Sequence, residues 1–140
     1  MKYFICALDT IQIGIMAQKT ERIIQSDRTL SSVFETQTNT DEEIEAFISL
    51  PALLMQKNTD TPHTLVLKSS VIPSSQLKAK LFLLTPKIDN ELDIPEEHIH
   101  QLPLALNDLR GYIKGIYFSG QTVQTMVLIL NIDTLLERIS

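Results

Sequence analysis

The sequence pattern that is most informative about the fold lies near the C-terminus, where residues 112–136 read YIKGIYFSGQTVQTMVLILNIDTLL. Two runs rich in β-branched, aromatic and aliphatic residues, Tyr112–Phe118 and Thr125–Leu130, flank a polar segment that begins with Ser119 and Gly120. Such runs favour strands, and a glycine between them favours a turn. The stretch therefore predicts a β hairpin.

A short helix and a second hairpin are predicted at the two ends of the chain. Asn131 can cap a helix over Ile132–Ile139, because its side-chain oxygen can accept a hydrogen bond from the first turn. At the other end, Lys2–Leu8 is a continuous β-rich run that suits a strand buried on both faces, and apolar and polar residues alternate over Ile11–Ile15. Short apolar runs then recur between polar stretches, which indicates a mainly β fold.

One segment carries two conflicting local signals. Thr40–Glu43 matches a helix-capping pattern, and the apolar residues Ile44, Phe47 and Ile48 have helical spacing. Over Ile44–Leu50, however, apolar residues also alternate with others, as they do in a strand. The local pattern alone favours a helix that the following proline interrupts.

Length, charge and cysteine content exclude several classes of function. The 140 residues suit a single domain over 1–140, and 12 basic against 17 acidic side chains give a net charge of −5. A negative chain is a poor partner for a phosphate backbone, so we expect no nucleic-acid binding. Cys6 is the only cysteine, which excludes an intrachain disulfide, and no apolar run is long enough to span a bilayer. We expect a soluble cytoplasmic protein without membrane insertion.

Few residues carry recognisable chemistry. His98 and His100 are two residues apart, which would place both rings on one face of a strand, and Glu96 and Glu97 could add oxygen ligands. A solvated loop explains the same residues, and no third ligand stands at a recognisable spacing. Cys6, inside an apolar run, is predicted to be an inert core thiol. We therefore predict no enzyme activity and no catalytic, cofactor-binding or metal-binding residues, with a small metal-binding β-barrel protein using His98 and His100 as an alternative.

Six short motifs follow one another along essentially the whole chain. They are Tyr3–Leu8, Glu21–Ile24, Phe82–Ile88, Ile94–Glu97, Lys114–Gly120 and Val127–Leu136. In their order and spacing they resemble the CheW family. The resemblance implies two SH3-like β-barrel subdomains with a short C-terminal helix. It also implies a non-enzymatic chemotaxis scaffold that needs no cofactor and couples chemoreceptors to the CheA histidine kinase.

The middle of the chain departs from the family's pattern. The family carries an Arg-Gly pair and then Ile-Pro-Val-x-Asp-Leu-Arg, whereas here the Arg-Gly pair is absent, Ser49 replaces the aspartate and Pro51 replaces the arginine. Thr20 likewise stands where the family usually has an apolar groove residue. The apolar alternation survives, so the resemblance favours a strand over Ile44–Ser49 against the local helix signal.

The resemblance also implies a partner surface built from barrel edges and from a groove between the barrels. Ile23, which matches a groove position, and Ile48, which lies on the Ile44–Ser49 strand, are the predicted partner-binding residues. Because a bidentate arginine is missing, we expect binding to the regulatory domain of a CheA-type kinase more firmly than binding to the cytoplasmic tip of a chemoreceptor. An exposed sheet edge also allows self-association. The alternative is a diverged CheW-like interaction module without receptor coupling.

Overall fold

The structure, a computed structural model, describes residues 1–25, 30, 32–38, 42–55, 60–103, 111–120 and 122–139. Strands dominate these ranges, which confirms the mainly β class. The strands are β1 (Lys2–Leu8), β2 (Ile11–Met16), β3 (Thr20–Gln25), β4 (Phe34–Thr38), β5 (Ile44–Ser49), β6 (His63–Leu67), β7 (Ser70–Val71), β8 (Lys78–Thr85), β9 (Ile88–Asp93), β10 (Ile113–Ser119) and β11 (Thr125–Leu130). The helices are α1 (Leu50–Met55) and the predicted C-terminal helix α2 (Ile132–Ile139).

The strands form two sheets. Sheet A has the order β10-β11-β2-β1-β9 and is built from both ends of the chain, whereas sheet B has the order β3-β6-β8-β5-β4, with β7 paired to β8. In the described part of the chain, no ladder joins the end strands of either sheet. A single bridge between His100 and Ile116 connects the segment after β9 to β10. The two sheets agree with the predicted class of two β-barrel subdomains, although in the described residues this one bridge is not a ladder that closes a barrel.

Two central strands of sheet A come from opposite ends of the chain. β2 pairs antiparallel with β1 and parallel with β11, so that Ile129 lies opposite Gly14. A Cβ atom added at Gly14 would lie 3.1 Å from Ile129 Cδ1 and 3.3 Å from Val127 Cγ1. These side chains therefore fill the space that a larger residue would need, and a glycine at this position allows the close packing.

The main core lies between the two sheets and includes one face of α2. Its fully buried members include Ile13, Ile15 and Leu128 from sheet A, Ile48, Leu65 and Leu83 from sheet B, and Leu135 from α2. Alternate residues of β1 and β11 point the other way and form a second cluster with Ile94. Strands at the centre of sheet A are therefore buried on both faces, as predicted for Lys2–Leu8.

The segment with two local signals is a strand. β5 lies between β8, to which it pairs in parallel, and β4, to which it pairs antiparallel, and the helix α1 begins only at Leu50. The carboxylate of Glu43, part of the capping pattern, instead accepts a hydrogen bond from the Ser69 hydroxyl at 2.9 Å. Pairing on both edges of Ile44–Ser49 thus outweighs the local preference for a helix. Thr40 and Asp41 lie outside the described residues.

A side chain does not fit at Gly115 because the segment after β9 lies too close to it. A Cβ atom at this position would lie 2.5 Å from Ile99 Cγ2 and 2.7 Å from the His100 carbonyl oxygen. The bridge between His100 and Ile116 is made of two hydrogen bonds, of 2.7 and 2.9 Å, and it holds the segment after β9 against β10 at this distance. A larger residue would force these two segments apart.

The buried position of Leu128 yields a stability prediction. Leu128→Ala should lower the free energy of unfolding by about 2–5 kcal/mol. The Leu128 side chain is 0% exposed, so its truncation removes buried apolar atoms and leaves a cavity in the core. Leu77→Ala is the matched control, since Leu77 is 47% exposed. Urea unfolding of both variants measures the difference, and equal losses would contradict the assignment of the core.

Candidate functional site

A groove opens where the chain crosses between the two sheets. One wall is the 3-10 turn Ala17–Lys19, which joins β2 of sheet A to β3 of sheet B, and the other wall is α2. The cavity has a volume of about 400 Å³. Its lining residues are Gln18, Lys19, Leu67, Lys68, Ser69, Ser70, Leu81, Ile132 and Leu136. The groove is therefore lined by sheet B and by the two segments that follow the sheet A strands β2 and β11.

The floor of the groove is apolar and its rim is polar. Leu67, Leu81, Ile132 and Leu136 are each at most 7% exposed, because they also belong to the main core. Hydroxyl, amide and ammonium groups of the remaining lining residues surround this floor. A surface of this kind suits a partner whose apolar side chain packs on the floor and whose neighbouring polar groups form hydrogen bonds with the rim.

Asn131 determines where α2 begins and hence the position of one wall. Its backbone N–H donates to the Tyr112 carbonyl oxygen at 2.8 Å, and its side-chain oxygen accepts the Thr134 N–H at 3.3 Å. The predicted cap is confirmed. Asp133 in the first turn also lies 3.4 Å from the Lys19 ammonium, which connects α2 to the 3-10 turn across the groove.

The two predicted partner-binding residues lie in different environments. Ile23 is on β3 at one end of sheet B and is 37% exposed, although it is not among the residues that line the groove. Ile48 is 0% exposed, since β5 lies between two other strands and directs this side chain into the main core. The prediction that Ile48 contacts a partner is therefore wrong, because a fully buried side chain presents no surface.

His98 and His100 do not share one face of a strand. His98 ends the 3-10 turn Glu96–His98, whereas His100 forms the bridge to Ile116, with its ring centroid 6.1 Å from that of Phe118. Across the described residues, no group of three or more His, Cys, Asp or Glu side chains is arranged to hold a metal ion. The geometric basis of the metal-binding alternative is thus missing in this part of the chain.

A third histidine has a structural role that the sequence did not reveal. His63 Nδ1 accepts the Ile88 N–H at 2.9 Å, and the His63 carbonyl oxygen accepts the Thr85 hydroxyl at 3.4 Å. Thr85 ends β8 in sheet B and Ile88 begins β9 in sheet A. His63 therefore holds the connection between the sheets, a role that depends on a pair 25 residues apart and leaves no local signal.

Cys6 occupies the core position that was predicted for it. Its side chain is 0% exposed, and burial, followed by the negative charge of Asp89, raises the pKa of the thiol to about 12. The sulfur is therefore protonated at neutral pH, and a protonated thiol is a poor nucleophile.

The fold is similar to that of a CheW protein. The crystal structure of the scaffolding protein TtCheW from Thermoanaerobacter tengcongensis matches with a TM-score of 0.60 and 16% sequence identity, over 93% of this chain and 83% of that one. No family model matches the sequence, and no curated protein matches it either. At this identity the likeness concerns the fold alone. A search of the described helices for one long and apolar enough to cross a membrane finds none.

The raised pKa of Cys6 predicts a loss of stability at alkaline pH. The folded state holds the thiol proton up to about pH 12, whereas an exposed thiol releases it near 9.0. The buried thiol therefore makes its full contribution to the free energy of unfolding below pH 9, and this contribution is lost as the pH rises towards 12. Between these two pH values the free energy of unfolding should fall by up to about 1.4 kcal/mol per pH unit. Urea unfolding at several alkaline pH values measures it, and Cys6→Ala should show a shallower slope. Because the pKa of Tyr3 is also raised by burial, some slope remains in both proteins. Identical slopes would contradict the assignment.

Proposed function

We propose that this chain is a non-enzymatic adaptor of the CheW type. In this proposal it forms a single domain over residues 1–140 and acts in the cytoplasm, where it couples chemoreceptors to the regulatory domain of a CheA-type histidine kinase. The observation that carries the proposal is the groove with an apolar floor where the chain crosses from sheet A to sheet B of a CheW-like fold. A protein that joins two partners needs two separate surfaces, and the groove provides one of them.

The edge strand β3 is the second proposed surface. In the described residues it pairs only with β6, so the backbone groups on its other side are available to a further strand. Ile23 and Ile24 are each 37% exposed on this strand and belong to its opposite faces. Exposed apolar side chains on an unpaired edge are typical of a surface that binds another protein or a second copy of the same chain.

The residues that depart from the family's pattern support kinase binding over receptor binding. The Ser49 hydroxyl oxygen accepts the Ala52 N–H at 3.5 Å at the start of α1, and Pro51 is buried inside that helix. The hydroxyl of Thr20 donates to the Met16 carbonyl oxygen at 3.2 Å. Since these side chains serve local structure, we propose that the receptor contact is the weaker of the two.

Titration calorimetry tests this proposal directly. The purified chain is titrated separately with the regulatory domain of a CheA-type kinase and with a fragment of a chemoreceptor cytoplasmic tip. Binding to the kinase domain, with weaker binding to the receptor fragment, is expected. Binding to the receptor fragment alone would reverse the ranking of the partners. Binding to neither would leave the diverged interaction module.

Ile23→Asp should weaken the kinase complex by at least about 2 kcal/mol, or roughly 30-fold in Kd. An apolar contact near the centre of an interface loses this much when it is replaced by a charge, whereas a half-exposed residue contributes little to the fold. Val123→Asp is the control, because Val123 is 80% exposed in the connection between β10 and β11, two strands of the other sheet. Calorimetry gives the two affinities, and circular dichroism checks that both variants are folded. Unchanged affinity in Ile23→Asp would remove Ile23 from the interface.

A further inference from the structure

The mouth of the groove is basic, although the whole chain has a net charge of −5. Lys19 and Lys68 both line it, and the Lys68 backbone N–H donates to the Lys19 carbonyl oxygen at 2.9 Å, which holds the two residues side by side. The Lys19 ammonium lies 3.4 Å from Asp133. Lys68 is exposed and forms no ion pair with any other described residue. Lys68 is therefore a cation at the mouth that makes no direct ion pair within the described part of the chain.

The acidic side chains around the groove already have partners. Glu43 accepts the hydrogen bond from the Ser69 hydroxyl. Glu21 accepts a hydrogen bond from the Lys80 ammonium at 2.8 Å, which lowers the pKa of its carboxyl, and the positive charges of Arg22 and Lys68 lower it further. The Lys68 ammonium is therefore the group at the mouth that a negatively charged group on an entering segment can contact directly.

The rim favours a peptide over a simple acyl chain. Gln18, Ser69 and Ser70 offer amide and hydroxyl groups next to the apolar floor, and these can form hydrogen bonds with the amide groups of a peptide. An acyl chain would cover the same groups without replacing their hydrogen bonds to water, which costs free energy. A cavity of about 400 Å³ also has room for an aliphatic side chain and the backbone beside it.

We propose that the groove binds a partner segment in which an aliphatic side chain is flanked by carboxylates. The aliphatic group packs on Leu67, Leu81 and Leu136, and a carboxylate pairs with Lys68. This inference rests on the proposed function, since it names the chemistry by which a protein partner is recognised at the groove.

Two capped tripeptides serve as probes for the full chain. They are N-acetyl-Glu-Leu-Glu-amide and N-acetyl-Lys-Leu-Lys-amide, which share the aliphatic side chain and differ in the sign of the flanking charges. Amide chemical shifts in ¹H–¹⁵N spectra should change at Lys19, Lys68 and Ser69 with the acidic peptide and not with the basic one. Equal effects of the two peptides would overturn the proposal, and so would decanoate binding in preference to the acidic peptide.

Charge variants at Lys68 test the assigned contact. Lys68→Glu should weaken binding of the acidic peptide by about three- to tenfold, because an exposed attraction becomes a repulsion, and should favour the basic peptide. Lys68→Arg should retain binding, since it keeps the charge. Lys87→Glu, an exposed residue outside the groove, is the matched control and should have no effect. An undiminished affinity in Lys68→Glu would overturn the proposal.

Failure of this inference is distinguishable from failure of the proposed function. If the kinase domain and the receptor fragment both bind with full affinity to Lys68→Glu, the adaptor function stands and the groove contact is wrong. If the acidic peptide binds and responds to Lys68→Glu while neither protein fragment binds, the groove chemistry stands and the CheW-type partners are wrong.

Discussion

The parallel pairing of β11 with β2 is the contact on which the rest of the structure depends. It joins the C-terminal hairpin to the N-terminal hairpin, with Leu128 opposite Ile13 and Ile129 opposite Gly14. Both strands are central in sheet A, and one face of each belongs to the core shared with sheet B. On the other face, β11 adds Val127 and Ile129 to the second cluster. The missing side chain of Gly14 is what allows Val127 and Ile129 to approach so closely.

The groove follows from this topology. The chain leaves β2 in sheet A through the turn Ala17–Lys19 to enter β3 in sheet B, and it leaves β11 in sheet A to form α2, which packs against sheet B. Because β2 and β11 are neighbours, these two crossings lie side by side and form the walls of one groove. The pair of Lys19 and Asp133 connects them across it. The groove is therefore bounded by these two crossings and by strands of sheet B.

The similarity to TtCheW at 16% identity illustrates what a fold requires of a sequence. A core needs apolar side chains of suitable volume at alternating positions, and many sequences satisfy this requirement. A binding surface needs particular groups at particular places, so a fold shared at this identity does not specify a shared binding surface. Proposals about partners must therefore start from residues such as Ile23 and Lys68 rather than from the fold.

Elements with local signals could be predicted from the order of the amino acids alone. The two hairpins and the capped helix α2 were predicted, because side-chain alternation and the Asn131 cap act over a few residues. The strand β5 was predicted from the family resemblance, while local capping favoured a helix. The burial of Ile48 could not be predicted in this way, since its environment depends on the strands on either side of β5. The groove with Lys19 and Lys68, and the anchor between His63 and Ile88, likewise arise from residues far apart in the chain, and no local pattern contains such contacts.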